Sequence, residues 1–419
     1  MNEVYKQRAV DQILGELIKG MGAVLIEGPR GCGKTSTGLH HSRSSIRLDR
    51  SPELVQLAEL NPQALLEGDN PRLVDEWQLA PSLWNAMRHE IDDRQQQGQF
   101  ILSGSAQPAS DITRHSGTGR FGRLRMRPMA LAESEASSSE ISLSALKGAE
   151  TVSARSPLSY QALAEQAVRG GWPGLLGVPT RQAVLFNRSY CDDLCDSDIP
   201  AAVGVRHDPS RMRRVLQSIA RNIAAEASAQ SLRRDVSGAD APLSYGTVNA
   251  YLDSLETVFA LDNLPAWSVN LRSKSRLRTA PKLQLADPAL ACAVLGIGAD
   301  RLAKSPEYFG QVFEAMVIRD LRTLASAESG QVYHYRDSTG LEIDAIIEYP
   351  DDGHWGACEV KLGQSQVEAA ERNLIKLRDE RVDLDRVGEP AFLAVVTGTE
   401  YAYTLPSGVH VIPLGTLGI

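Results

Sequence analysis

The run Gly28-Pro29-Arg30-Gly31-Cys32-Gly33-Lys34-Thr35 satisfies the pattern G-x-x-x-x-G-K-[ST] at every fixed position, and it constrains the fold more than any other stretch of the chain. Glycines let successive backbone N–H groups turn inward around a polyphosphate, the Lys34 ammonium reaches the outer phosphate oxygens, and the Thr35 hydroxyl ligates Mg²⁺. That chemistry demands a strand before the loop and a helix after it. Gly22-Ala23-Val24-Leu25-Ile26-Glu27 is a short buried-strand pattern, and the residues from Thr35 onward, Ser36 included, can open a helix. Residues 28–36 are therefore the expected phosphate cradle. Cys32 holds a variable position in it and is given no catalytic role.

The 419 residues leave room for two or three domains, and a hydrophobic content of 42% is that of a folded globular protein. A net charge of −8 argues against a chain coated in nucleic acid while leaving room for local basic patches. No apolar run approaches the ~18 residues that span a bilayer, and the start lacks a basic segment followed by an apolar one, so the expectation is a cytoplasmic protein without a membrane partner. The five cysteines are scattered and odd in number, which suggests reduced thiols. Cys191 and Cys195, one helical turn apart without nearby histidines, read as helix-face residues rather than a zinc site.

Apolar spacing predicts a helix from Tyr5 to Gly20, short strands at Ser45–Leu48, Arg72–Val74 and Phe100–Leu102, and a helix over Pro81–Gln95. Strands alternating with helices imply a parallel sheet covered on both faces. The Ser-, Ala- and Glu-rich stretch from Glu133 to Arg155 reads as a linker. Helices follow as far as Thr257, with Gly170-Gly171-Trp172-Pro173-Gly174 as a turn whose tryptophan packs against a neighbour. After Pro306 the expected order is a helix through Phe313, Val317 and Leu321, then strands at Gln331–Tyr335, Glu342–Ile347 and Gly356–Val360. A helix over Gln364–Arg378 and strands at Phe392–Val396 and Val409–Ile412 complete an αβββαβ order with one extra strand. The expected units are residues 1–135, 150–295 and 300–419.

A phosphate loop needs an acidic element on a neighbouring strand, and Leu73-Val74-Asp75-Glu76 supplies it, with Asp75 to hold the metal and Glu76 to polarise an attacking water. Ser103, at the end of the next strand, is a candidate to report the γ-phosphate. Arg120 is the candidate for neutralising its charge, from the same or a neighbouring subunit of a homo-oligomer. Arg123, Arg125 and Arg127 alternate along a strand and read as a solvated or salt-bridged face.

These segments, with Trp77-Gln78, Ser103-Gly104-Ser105, Gly119-Arg120 and Arg127-Pro128-Met129, resemble the prokaryotic AAA-type ATPases fused to a C-terminal domain of unknown function. The likeness extends to Gly170–Pro173, Arg188-Ser189-Tyr190, Pro281-Lys282, Asp287, Phe313-Glu314 and Glu342-Ile343-Asp344. It implies a P-loop α/β domain, ATP and Mg²⁺ as cofactors, and nucleotide-driven conformational change.

Ser244 followed by Tyr245, Val248, Tyr251, Leu252 and Leu255 has the pattern of an N-capped recognition helix, and Leu271–Arg278 alternates bases as a basic wing would. A winged helix of this kind contacts DNA or docks a partner protein. Asp253, Glu256 and the acidic chain weigh against DNA. In the last unit, Asp344 as well as Glu359 and Lys361 lie on successive strands. Across a hairpin the two carboxylates can converge on one cation with Lys361 beside them, and Glu314 can add a ligand. The arrangement resembles the PD-(D/E)-x-K nuclease fold, of restriction-endonuclease type, but has Ile343 where that signature often has proline. Three functions follow: an ATPase driving the attached modules, an ATP-gated metal-dependent DNA or RNA nuclease, or a nucleotide switch without turnover that docks a partner.

Overall fold

The computed structural model describes residues 5–105, 117–203, 208–236, 244–268 and 280–419. Five strands, β1 (Ala23–Glu27), β2 (Ser44–Arg47), β3 (Arg72–Asp75), β4 (Phe100–Gly104) and β5 (Phe121–Arg125), form a wholly parallel sheet in the order β2-β3-β4-β1-β5. The near-continuous apolar content of β1 and β4 is what burial on both faces requires. Alternation splits it: Ala23 and Leu25 pack with Trp77, Trp84, Met87 and Phe100, while Val24 and Ile26 pack with Val10, Leu14, Leu73 and Ile101. Helices Val10–Gly20, Lys34–His41 and Ser82–Arg94 supply those layers. Because β4 lies between β1 and β3, the loop leaving β1 and the acids ending β3 meet at the same edge of the sheet.

Past the sheet come helices Tyr160–Arg169, Thr180–Asp193, Pro209–Arg221, Tyr245–Thr257 and Pro288–Val294. Ser159, Asp208, Ser244 and Asp287 cap four of them, each side chain accepting a first-turn backbone N–H. After the Ser244-capped helix, residues 261–268 and 280–285 run antiparallel through the bridges Leu261↔Leu285 and Leu264↔Lys282. The basic run Leu271–Arg278 lies outside the described residues.

The C-terminal unit has the expected element order, with strands β8 (Gln331–Arg336), β9 (Glu342–Tyr349), β10 (His354–Lys361), β11 (Phe392–Thr397) and β13 (His410–Pro413). β8, β9 and β10 form an antiparallel meander, and β11 returns parallel to β10 after the helix Val367–Lys376. The result is a mixed seven-stranded sheet rather than an isolated αβββαβ core. It includes β12 (Tyr401–Thr404), which sequence spacing missed, and β7 (Ala154–Arg155) from the stretch read as a linker.

The stretch does join two units, but parts of it are built into the fold rather than left as a free linker. Glu133 is fully buried against Arg8, and the Ser138 N–H donates to the Gly415 carbonyl (2.9 Å). Strand β6 (Ile141–Ser142) pairs with β14 (Leu417–Gly418). Composition suggested a solvated connector, but two of its serines serve backbone carbonyls, Ser134 Oγ donating to Leu131 O at 3.1 Å and Ser137 Oγ to Leu417 O at 2.6 Å. Residues drawn from 130 to 417 accordingly meet in one hydrophobic core, while a second gathers Trp267 with Tyr335, Ile343, Trp355 and Val395 of the C-terminal unit.

At the centre of the first lies the buried Arg319 of the helix Pro306–Ala325. Its guanidinium donates to Asp287 (2.8 Å) and to Asp320 (2.7 and 2.8 Å). Asp287 also accepts the Gly171 N–H (2.8 Å), and Asp320 accepts the Leu131 N–H (2.9 Å), so one cation ties together backbone from all three parts of the chain.

Candidate functional site

The phosphate loop turns sharply between β1 and its helix. Gly31 and Gly33 hold φ values of +75° and +105°, which strain any residue with a Cβ. Lys34 is only 6% exposed, and its ammonium donates to the loop's own Gly28 and Pro29 carbonyls at 2.9 and 2.8 Å. No carboxylate among the described residues pairs with it. A buried cation balanced only by carbonyl dipoles sits at the mouth of a cleft of about 1280 Å³, a standing invitation to an anion.

Thr35 Oγ1 lies 2.9 and 3.1 Å from the two Asp75 oxygens, within the span that one hard cation bridges. These two side chains fit Mg²⁺. Ser103, expected beside the γ-phosphate, instead donates to Asp75, and it is Ser105 that lines the cleft. Glu76 also lines it, from a left-handed backbone conformation (φ +55°) that strains a non-glycine residue. Gln78 donates to the Glu76 carboxylate, and Ser105 Oγ stands 3.5 Å from it.

Arg120 is not brought to the loop. Its carbonyl accepts the Ala23 N–H (3.0 Å), which fixes it beside the start of β1, while the loop leaves the other end. The five residues of β1 put ~17 Å between them at ~3.3 Å per residue. Its guanidinium forks onto Asp92 at 2.8 and 3.3 Å, so within one chain it cannot reach a phosphate bound at Lys34. Arg8 and Arg30 line the cleft in the same chain, and Arg47, which the spacing of the motifs does not single out, stands beside Asp75. It lies on β2 in register with Asp75, its Nε 3.3 Å from Asp75 Oδ2. The expected ion-paired arginine face is present: Arg123 holds Glu27, and Arg125 and Arg127 hold Asp262.

Opposite the loop, the cleft is walled by Tyr5, His40, Pro173, Gly174 and Leu176. Tyr5 stacks on His40 with ring centres 4.1 Å apart. Trp172 packs on Tyr190 (4.8 Å), and Pro173 sits against Gly33, so the turn at 170–174 leans on the phosphate loop itself. Arg30 reaches out of the loop to Asp198 in the helical region. Arg8 donates to the Cys32 carbonyl (2.8 Å) and to Glu133 (3.0 Å). The five cysteines are free and buried; burial foremost pushes the Cys191 and Cys195 thiols up to about 12.

In the C-terminal unit Asp344, Glu359, Lys361 and Glu314 do converge. Lys361 Nζ lies 2.6 Å from Glu359 and 3.4 Å from Asp344, whose Oδ2 also accepts the Val360 N–H (2.8 Å). Sequence spacing did not place Lys282 among them. Its ammonium contacts Glu342 (2.7 Å), Glu314 (2.8 Å) and Asp344 (3.3 Å). Among the described residues no group of three or more His, Cys, Asp or Glu is arranged to hold a metal.

Burial, reinforced by Asp344, pushes the Glu314 and Glu359 carboxyls from 4.5 up to about 8 against the pull of Lys282 and Lys361. Burial also opposes ionisation of Asp344, but Lys361 and Lys282 overcome it and hold that carboxyl below its ordinary range. Acids whose folded pKa is raised favour the folded state below their unfolded pKa and lose that contribution as pH rises through the folded value. Stability is therefore expected to fall as pH rises from about 4.5 to about 8, by on the order of a few kcal/mol, and to level off above that. Glu314→Gln should flatten the decline, as read by urea denaturation at a series of pH values.

Three family profiles match in succession: residues 21–135 an AAA domain, residues 160–301 a domain of unknown function (DUF8612), and residues 309–417 a second one (DUF4143). The parallel-sheet unit with its phosphate loop is thus similar to AAA-type P-loop ATPase domains. Uncharacterized proteins of Mycobacterium tuberculosis and Mycobacterium bovis are each 25% identical over 398 residues, covering 93% of this chain and 79% of theirs. A Walker-type ATPase of Pyrococcus abyssi superposes with a TM-score of 0.42 at 13% identity, over 70% of this chain and 97% of that one. No helix among the described residues is long and apolar enough to cross a membrane.

Proposed function

We propose that the chain is a Mg²⁺-dependent ATPase whose nucleotide state is passed to its helical and C-terminal units. The observation that carries this reading is the buried Lys34 ammonium, without a carboxylate partner among the described residues, on a cleft that the neighbouring Thr35, bonded to Asp75, also lines. Lys34 and the loop N–H groups draw in the triphosphate. Thr35 and Asp75 would hold Mg²⁺, which supplies charge neutralisation at the phosphate oxygens. Glu76, oriented by Gln78, takes the proton of the attacking water, and Arg30, which lines the cleft, and Arg47, beside Asp75, are guanidinium groups available in the same chain. Contacts of the loop with Trp172, Pro173 and Asp198 offer the route outward.

Phosphate release with ATP and Mg²⁺ tests the reading. Glu76→Gln is expected to retain bound nucleotide while turnover falls ~10²–10⁴-fold, the range for loss of a general base. Unchanged turnover would remove Glu76 from this role.

A second reading, a metal-dependent nuclease, is favoured by the αβββαβ order and the convergence of Asp344, Glu359 and Lys361. It predicts nucleic-acid cleavage that Asp344→Ala abolishes. The capped helix and the antiparallel ribbon after it support a winged-helix docking surface for DNA or a partner protein. The position of Lys282 bears directly on the nuclease reading.

A further inference from the structure

We infer that Lys282 is the resident cation of the C-terminal carboxylate cluster, and that the ribbon carrying it keeps divalent metal out. An ammonium has three donors, and Glu314, Glu342 and Asp344 provide three acceptors at 2.8, 2.7 and 3.3 Å. Lys282 is 2% exposed and Asp344 is buried, so the ammonium is held from within the fold, with Glu342 on the solvent side of the cluster. The second ammonium, Lys361, occupies the other flank. Asp344 therefore spends Oδ1 on Lys282 and Oδ2 on Lys361 and the Val360 N–H. Glu359 gives one oxygen to Lys361 and the other to Asn373 (2.9 Å). The acceptors that a hard cation would need are already engaged.

The lysine is delivered by backbone, not by chance of rotamer. Lys282 and Leu264 exchange both N–H···O bonds at 3.0 Å, and the same ribbon is fastened to β8 by His334 N–H to Pro265 O (2.9 Å) and Trp267 N–H to His334 O (2.6 Å). Withdrawing the ammonium by more than a side-chain rotation means unzipping those bonds. Metal-dependent chemistry at Asp344 and Glu359 thus requires the Lys282 ammonium to be displaced first, which makes that side chain, held in place by the ribbon, a plug on a nuclease-like cluster. This inference does not rest on the ATPase reading.

Mn²⁺ titration of the nucleotide-free full chain, followed by electron paramagnetic resonance and calorimetry, tests it. The wild-type chain and Asp344→Asn should take up Mn²⁺ identically. Lys282→Ala should gain one equivalent bound at least about tenfold tighter than any wild-type site, a difference of ~1.4 kcal/mol. The double variant Lys282→Ala/Asp344→Asn should lose that gain. If Lys282→Ala does not fold, Lys282→Gln, which keeps most of the stem, is expected to show the same gain. Mn²⁺ uptake by the wild type that Asp344→Asn removes would overturn the inference, as would a folded Lys282 variant that gains no site.

Discussion

Lys34→Ala is expected to lower the affinity for ATP, and with it the rate of phosphate release at limiting ATP, by at least about a hundredfold. The estimate follows from what the ammonium does now. It is buried, it has no carboxylate partner among the described residues, and it is held by two loop carbonyls that a triphosphate oxygen would outbid. A charge-assisted contact to phosphate is about twice as strong as a neutral one and operates in a site shielded from water. Alanine removes the charge and leaves the Gly28 and Pro29 carbonyls to water. The same substitution also removes an uncompensated buried cation, so fold stability should change by no more than ~1 kcal/mol. Titration with a fluorescent ATP analogue beside a thermal melt checks both parts. Retained affinity would dismiss the phosphate assignment, whereas lost affinity with a collapsed melt would show only that Lys34 supports the loop.

How much of this site was legible in the sequence depends on how far apart its parts lie. The loop, its strand and its helix are contiguous, so glycine spacing and a buried-strand pattern disclosed them. Asp75 and Glu76 were legible because they end a strand at the sheet edge the loop needs. Arg47 was not, since its partnership with Asp75 arises only from β2 and β3 lying side by side in register. That Arg120 does not reach the loop of its own chain was hidden for the same reason. Residues before β5 sit at the start of β1, a consequence of parallel pairing that local spacing does not reveal.

The C-terminal unit repeats the lesson at longer range. Strand alternation in the β9–β10 hairpin brought out Asp344, Glu359 and Lys361, while Lys282 enters from a ribbon more than 60 residues upstream of Asp344. The stretch from Glu133 to Arg155 misled because composition reports solvation, not pairing. Ser134 and Ser137 spend their hydroxyls on backbone carbonyls, which composition does not report. Asp287 and Gly171 were noticed only as parts of a resemblance. Their physical reason is one carboxylate: Asp287 accepts both the Gly171 N–H and the buried Arg319 guanidinium.

Arg319→Leu should produce the largest loss of stability in the molecule, about 3–5 kcal/mol, the cost of leaving buried carboxylates without their cation. Asp287 and Asp320 are both essentially inaccessible, and the guanidinium supplies three hydrogen bonds between them. Leucine fills most of the volume but no longer balances either charge, so the two acids must protonate or draw in water. Urea denaturation at pH 7 is the measurement. The triple variant Arg319→Leu/Asp287→Asn/Asp320→Asn should recover much of the loss, because amides can still accept the Gly171 and Leu131 N–H groups without carrying charge. Such recovery would locate the penalty in unpaired charge rather than in lost packing. If instead the triple variant is no more stable than the single one, the guanidinium acts as a shaped donor that fixes the turn at Gly171 against the helix. That turn carries Trp172 and Pro173 to the phosphate loop, so nucleotide affinity should then fall in the triple variant along with stability.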